Sequence, residues 1–177
     1  MLIGGVEKTS LVDYPEKLTA VVFTIGCNFR CGYCHNPELI KLKEDSKILD
    51  ETDLFVYLEK RKGLLDAVTI TGGEPTLQPD LYNFIKKIKN IGYLIKLDTN
   101  GTNPEVLEKL LRENLLDYIA MDIKNSIDNY NKVVRNFTDK EKILKSIDLI
   151  MKSGLNYEFR TTTLPLSIWK ILKKLAK

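Results

Sequence analysis

The sequence predicts an α/β fold, a parallel sheet with a helix between successive strands, in one domain over residues 1–177. Three observations predict it. Strand-length apolar, β-branched runs alternate with helical periodicity about five times along the chain. Turn or polar residues bound each run. Polar residues also gather just after the runs, at Cys27, Thr71 to Glu74, Asp98 to Asn100, Asp122 and Lys124. In a parallel sheet or barrel those ends share one rim, and ligands bind there.

The first strand reads Leu18–Ile25 and the second Ala67–Thr71, closed by Gly72 and Gly73. The third reads Leu94–Thr99, closed by Asn100-Gly101; the fourth and fifth read Tyr118–Lys124 and Tyr157–Thr163. Between them, Thr52–Arg61 is weakly amphipathic, and Leu81, Phe84, Ile85 and Ile88 fall at i, i+3, i+4 and i+7. Asn103-Pro104 reads as an N-cap followed by proline at the first helical position, ahead of Leu107, Leu110 and Leu111. Thr138-x-x-Glu141 reads as a capping box ahead of Ile143, Ile147 and Ile150. Ser167–Lys177 is a last, lysine-rich amphipathic segment.

Hydrophobic residues make up 44% and charged residues 29%, a balance that argues against disorder. No apolar run reaches the roughly 18 residues of a membrane span, and the first residues lack the layout of a secretory signal. A cytoplasmic protein is expected, with no membrane partner. The 27 lysines and arginines exceed 24 acidic residues by only +3 and are spread out, so no nucleic-acid partner is expected.

Cysteine is the informative residue. All three lie in Cys27-Asn-Phe-Arg-Cys31-Gly-Tyr-Cys34-His35, directly after the first strand. An odd, clustered set in a cytosolic chain points to a metal or redox centre rather than to disulfides. Gly26 and Gly32 would ease the backbone angles of a loop that wraps a centre. Three centres compete. A [4Fe–4S] cluster would be held by three thiolates with one iron left open to a small molecule. Zinc would need His35 as a fourth ligand, awkwardly adjacent to Cys34. Cys31-x-x-Cys34-His35 also matches a c-type haem site, which leaves Cys27 unused.

The C-x3-C-x2-C spacing, with aromatic Tyr33 before the last cysteine, resembles the signature loop of the radical S-adenosylmethionine (SAM) superfamily. Ser10-Leu-Val-Asp-Tyr-Pro15 and Cys34-His-Asn-Pro-Glu-Leu39 resemble its glycyl-radical-enzyme activating proteins, especially the short activators of anaerobic ribonucleotide reductase. The resemblance implies a partial (βα) barrel, a [4Fe–4S] cluster on Cys27, Cys31 and Cys34, and SAM bound beside it. Thr71-Gly72-Gly73-Glu74-Pro75 resembles the motif that meets the SAM amino group; its glycines would let backbone approach the ligand. Asp98 to Asn100 would lie by the ribose and methionyl carboxylate. Asp98, Thr99, Met121 and Asp122 would hold a monovalent cation, and Lys124 and Arg160 would face the SAM carboxylate or the partner's glycyl loop. Tyr33 completes the implied cofactor contacts.

The implied activity is reductive cleavage of SAM to a 5′-deoxyadenosyl radical that installs a glycyl radical on a partner enzyme. No side chain is needed as a catalytic acid or base; His35 is expected to pack, and Asn125 to Phe137 to be a solvated connector. A flavodoxin or ferredoxin would supply electrons, because no second cysteine cluster is present. Two other readings stand beside this one: a radical SAM enzyme acting on a small molecule, as deazaguanine synthases do, and a non-catalytic iron–sulfur or zinc module. The chain departs from the family pattern twice. Position 16 is Glu where the subfamily usually has Gly, and a sixth strand is missing. The exposed edge this leaves would be covered by the last helix, completed by a partner, or reflect C-terminal truncation.

Overall fold

Among the described residues, six strands lie side by side in chain order: β1 (Ile3–Ser10), β2 (Thr19–Thr24), β3 (Ala67–Gly72), β4 (Leu94–Thr99), β5 (Tyr118–Asp122) and β6 (Asn156–Arg160). The computed structural model describes residues 1–163. Strands β2 to β6 are parallel, and these are the five strands expected from sequence. A further strand, β1, precedes them and pairs antiparallel with β2, while the stretch after the fifth parallel strand from residue 164 on, where a sixth was expected to be missing, lies outside the described residues. The sheet is not closed into a barrel among the described residues. The expected Ser167–Lys177 helix lies outside the described residues.

Strand β1 carries no clear alternation, and Gly4 and Gly5 lower its strand propensity. Gly4 is there for packing: a Cβ on it would meet Leu39 Cδ2 at 2.6 Å and Ile25 Cγ1 at 2.7 Å.

Among the described residues, five α-helices connect or flank the parallel strands: α1 (Glu51–Lys60), α2 (Leu81–Ile91), α3 (Pro104–Arg112), α4 (Tyr130–Val134) and α5 (Lys140–Lys152). The α2 stripe of Leu81, Phe84, Ile85, Ile88 and Ile91 is buried, as the 3.6-residue period requires. It packs in one core with Ala20, Val22, Val68, Ile70, Ile95, Leu97, Ile119 and Met121, the residues on one face of β2 to β5. The residues between them, Thr69, Lys96, Asp98, Ala120 and Asp122, take the opposite face. That face is polar; Lys96, only 2% exposed, donates to Asp98 Oδ1 at 2.7 Å.

Two helix starts differ from the sequence reading. Asn103 is the N-cap of α3, but its amide donates to Thr76 Oγ1 at 2.9 Å instead of capping. The N-cap of α5 is Asp139, whose Oδ1 accepts from Glu141 N at 3.0 Å, so the cap falls one residue later than Thr138. Thr138 Oγ1 is buried without a partner among the described residues. In the α5 stripe, Ser146 is the buried residue beside Ile143 and Ile150, and its hydroxyl donates to Gly101 O at 2.7 Å.

Between β1 and β2, Ser10 Oγ accepts from Val12 N and Asp13 N, which makes a compact turn. Tyr14 then packs on Tyr118 with ring centroids 5.4 Å apart. Lys17 N returns to Tyr14 O at 3.3 Å, and Glu16 has φ +61°. Proline at the second position and positive φ at the third is the type II arrangement, which favours glycine at position 16. Glu16→Gly is therefore expected to raise stability by about 0.5–1 kcal/mol, read as a Tm increase of roughly 2 °C; an unchanged or lower Tm would contradict the strain at Glu16.

Candidate functional site

The cysteine loop leaves the end of β2 through Gly26, whose φ is +108°. Its start is held by neighbours on both sides. Gly26 N donates to Leu39 O at 2.8 Å, Cys27 N donates to Ile40 O at 3.0 Å, and Gln78 Nε2 donates to Ile25 O at 2.7 Å. Gly32 does not carry a left-handed angle. Its lack of a side chain instead makes room for Arg135.

Asn28, which no sequence motif singles out, and the α4 region, expected to be a solvated connector, hold the middle of the loop. Asn28 Nδ2 donates to Thr102 Oγ1 at 2.9 Å, and its Oδ1 accepts from Asn100 Nδ2 at 2.8 Å. Its carbonyl accepts from Asn136 Nδ2 at 2.6 Å, while Arg30 N donates to Val134 O at 2.8 Å. Phe29 is 3% exposed and meets the fully buried Tyr130 edge-on at 6.2 Å. The expected solvated connector is thus partly core, because Tyr130 and Val134 form the seat of the loop. The only advance signal was the apolar spacing of Tyr130 and Val134 within a polar stretch.

The three cysteines, Tyr33 and His35 line one pocket with Thr71, Gly72, Gly73, Glu74, Asp98, Asn100, Asp122, Lys124 and Arg160. Every residue expected to hold the cluster or SAM is in that lining, whereas the side chain of Met121, expected among the cation ligands, is buried in the hydrophobic core. The strand order explains this: β2 to β6 end at the same rim, and each contributes its last residues. His35 is exposed at the pocket edge rather than packed, which corrects the sequence expectation.

Gly72 and Gly73 line the pocket and also pack closely against the chain itself. A Cβ on Gly73 would lie 2.1 Å from Gly26 O, and one on Gly72 would lie 2.3 Å from Thr24 N. The close neighbour is the backbone entering the cysteine loop. Gly73 N donates to Thr24 O at 2.8 Å and Glu74 N to Gly26 O at 2.7 Å.

Glu74 is 1% exposed. Its Oε1 accepts from Thr76 N at 3.1 Å, Thr76 Oγ1 at 2.5 Å and Thr99 Oγ1 at 2.8 Å. Its Oε2 accepts from Asn100 N at 2.7 Å. Burial raises its pKa, and these donors work against that rise. The carboxylate therefore joins the ends of β3 and β4 and leaves at most Oε2 with spare capacity. Asn100 is committed in the same way, since its Oδ1 accepts from Thr102 N and Thr102 Oγ1.

Asp98 and Asp122 face side-chain cations. Arg160 Nη2 lies 3.1 Å from Asp98 Oδ2, and Arg160 Nε donates to Asp122 Oδ1 at 3.0 Å. Lys124 Nζ donates to Asp122 Oδ2 at 2.8 Å. The guanidinium takes the interval between the two carboxylates that the sequence reading gave to a monovalent cation. Lys124 and Arg160, expected to face a SAM carboxylate, are paired with Asp122. Burial works against ionised Asp122, but Lys124 and Arg160 outweigh it and hold its pKa below the usual carboxylate range.

Burial pushes the Cys27 thiol up to about 11, against a lowering hydrogen bond from Phe29 N at 3.4 Å. Cys31 is raised by burial as well, and the nearby Lys124 lowers both thiols. Tyr33 Oη is buried with no hydrogen-bond partner among the described residues, and burial raises its pKa strongly. A soft set of three thiols on one wall, a backbone N–H aimed at one sulfur and an orphaned phenol on the same pocket fit an iron–sulfur group with a further ligand beside it. Among the described residues, no three His, Cys, Asp or Glu side chains are gathered closely enough to hold a single ion.

Residues 21–174 match the family model of the Radical SAM superfamily. The chain belongs to that superfamily, whose members use a [4Fe–4S] cluster and SAM. Within it, the chain is 40% identical over 169 residues to a Methanocaldococcus jannaschii protein named for glycyl-radical enzyme activation, covering 93% of this chain and 69% of that one. It is 34% identical over 155 residues to the pyruvate formate-lyase-activating enzyme of Clostridium pasteurianum, covering 82% and 63% of the two chains. SuiB of Streptococcus suis, solved bound to S-adenosylmethionine, has the same fold at TM-score 0.62 and 17% identity, over 86% of this chain and 36% of that one. The chain thus spans roughly two thirds of the length of the two curated relatives.

Two outcomes follow. Glu74→Ala would leave buried donors on Thr76, Thr99 and Asn100 unpaired and cost roughly 3 kcal/mol, measured by denaturant unfolding; a cost below about 1 kcal/mol would deny Glu74 its joining role. Because Asp122 is depressed in the folded state, its ion pairs add stability at neutral pH that is lost as pH falls below about 4. Asp122→Asn is expected to flatten that acid loss in Tm measured from pH 7 to pH 3; an unchanged acid slope would contradict the pairing.

Proposed function

We propose that this chain is a radical SAM activating enzyme that installs a glycyl radical on a separate protein. The observation that carries the reading is the gathering of Cys27, Cys31, Cys34 and the other strand-end residues around one pocket. In this reading the three thiols hold the [4Fe–4S] cluster, and one iron is left without a protein ligand. When bound, cluster and SAM together supply a 5′-deoxyadenosyl radical that takes a hydrogen atom from a glycine of the partner.

The chain's own residues bind and orient. Tyr33 lines the pocket, with its hydroxyl buried and without a partner among the described residues. The Thr71 to Gly73 backbone and Asn100 shape the wall opposite the cysteines, and Glu74 fixes that wall from beneath. Lys124, Arg160, Asp98 and Asp122 form a charge network that can exchange a carboxylate partner for that of SAM. No acid or base is required of any side chain.

The relatives' names support a glycyl-radical enzyme as the partner. The Ser10–Pro15 and Cys34–Leu39 segments favour anaerobic ribonucleotide reductase among such enzymes. A flavodoxin or ferredoxin is the proposed electron donor, and the cytoplasm the proposed compartment. No helix among the described residues is long and apolar enough to cross a membrane.

The test is anaerobic reconstitution with iron and sulfide, followed by dithionite and SAM. Wild type is expected to form 5′-deoxyadenosine and, with the partner, a glycyl-radical EPR signal. Cys31→Ala is expected to reduce both to background. A fully loaded cluster that yields no 5′-deoxyadenosine would end the enzymatic reading; nucleoside formation with no radical on any glycyl-radical protein would shift it to a small-molecule substrate.

A further inference from the structure

Arg135 sits at the C-terminal end of α4 with φ +52° and ψ +35°, a left-handed conformation that side-chain-bearing residues rarely take. The turn carries its side chain back onto the cysteine loop. A Cβ on Gly32 would come within 2.6 Å of Arg135 Nη2 and 2.8 Å of its Cζ. The guanidinium therefore lies against the backbone between Cys31 and Cys34. The flanking contacts hold it there, because Val134 O accepts from Arg30 N and Asn136 Nδ2 donates to Asn28 O.

The Arg135 side chain is exposed and makes no ion pair among the described residues. Arg160 is the only arginine in an ion pair among the described residues. Lys124, the cation that acts on the Cys27 and Cys31 thiols from across the pocket, is paired with Asp122. Arg30 lies on the same loop, but its Nη1 donates to the carbonyls of Cys27 and Phe29, so it braces the loop itself.

We infer that Arg135 is a positioning and charge-supplying residue for the group held by the three cysteines, and that it raises that group's reduction potential. The inference rests on the proposed [4Fe–4S] reading. Reduction adds one negative charge to the group, and a fixed unpaired cation at the loop favours the reduced form over the oxidised form. The strained backbone at Arg135 is what aims the cation, so the local conformation and the charge act together.

The test is spectroelectrochemical titration of the reconstituted protein at low ionic strength, with the cluster quantified by iron, sulfide and EPR. Arg135→Gly suits the left-handed backbone and removes the charge, so it is expected to fold at least as well as wild type. Its ratio of reduced to oxidised cluster at a fixed potential should fall about threefold to tenfold. That is a potential more negative by roughly 30–60 mV, at 59 mV per tenfold for one electron. Arg135→Lys should restore most of the wild-type value, and the difference should shrink at high salt. Gly32→Ala, which pushes the guanidinium away while keeping the charge, should give a smaller shift in the same direction.

An Arg135→Gly protein with full cluster content and an unchanged potential would overturn the inference while leaving the proposed function intact. An equal shift in Arg135→Lys would also overturn it, since that would mark shape and not charge. Failure of the wild-type protein to assemble a cluster would overturn the proposed function, and this inference with it.

Discussion

The buried carboxylate of Glu74 is the joint beneath the pocket. Its own amide binds Gly26 O at the root of the cysteine loop, and its oxygens bind the end of β4 through Thr99 and Asn100. One residue thus ties together the exits of β2, β3 and β4. Its hydrogen bonds are made out of water, where an unpaired donor would be expensive, so the three loops are held in one arrangement. The root of the cysteine loop and the end of β4, which carries Asp98, are held in fixed relation by this joint.

Around that joint the chemistry divides by strand. β2 delivers sulfur, β3 delivers glycine backbone, and β4 to β6 deliver charge. The charged set is internally neutralised, with Arg160 between Asp98 and Asp122 and Lys124 on the far side. A ligand entering the pocket meets paired groups and competes for them. The cysteine side is different: Tyr33 Oη lacks a partner, and Arg135 lacks a counter-charge among the described residues. The two sides are therefore prepared for different ligands, a charged small molecule on one and a soft inorganic group on the other.

The departures from expectation share one cause, which is that local patterns do not name their partners. Gly72-Gly73 reads as room for a ligand and does line the pocket, but the backbone packed closely against it is the chain itself at Thr24 and Gly26. Asp98 and Asp122 read as cation ligands, but a guanidinium some 38 residues further along than Asp122 lies between them. Thr138 and Glu141 read as a capping box, but Asp139 takes the cap. Each motif was a true site of interaction, and only the identity of what it touches depended on contacts distant in sequence.

The sequence by itself determined the five parallel strands, their polar exits and the cysteine set, because strand periodicity and thiol spacing are local properties of the chain. The family resemblance marked Glu16 as a departure, and only the structure supplied the reason, a positive φ at the third position of the turn that follows Tyr14. Tertiary structure alone decided that Ile3–Ser10 joins the sheet, that Tyr130 and Val134 seat the cysteine loop, and that Glu74 and Arg160 are satisfied by protein groups. Those outcomes rest on burial and on pairing between distant segments. A strand that opens on two glycines carries no periodic signal, and one apolar pair four residues apart is too short a pattern to show what it packs on.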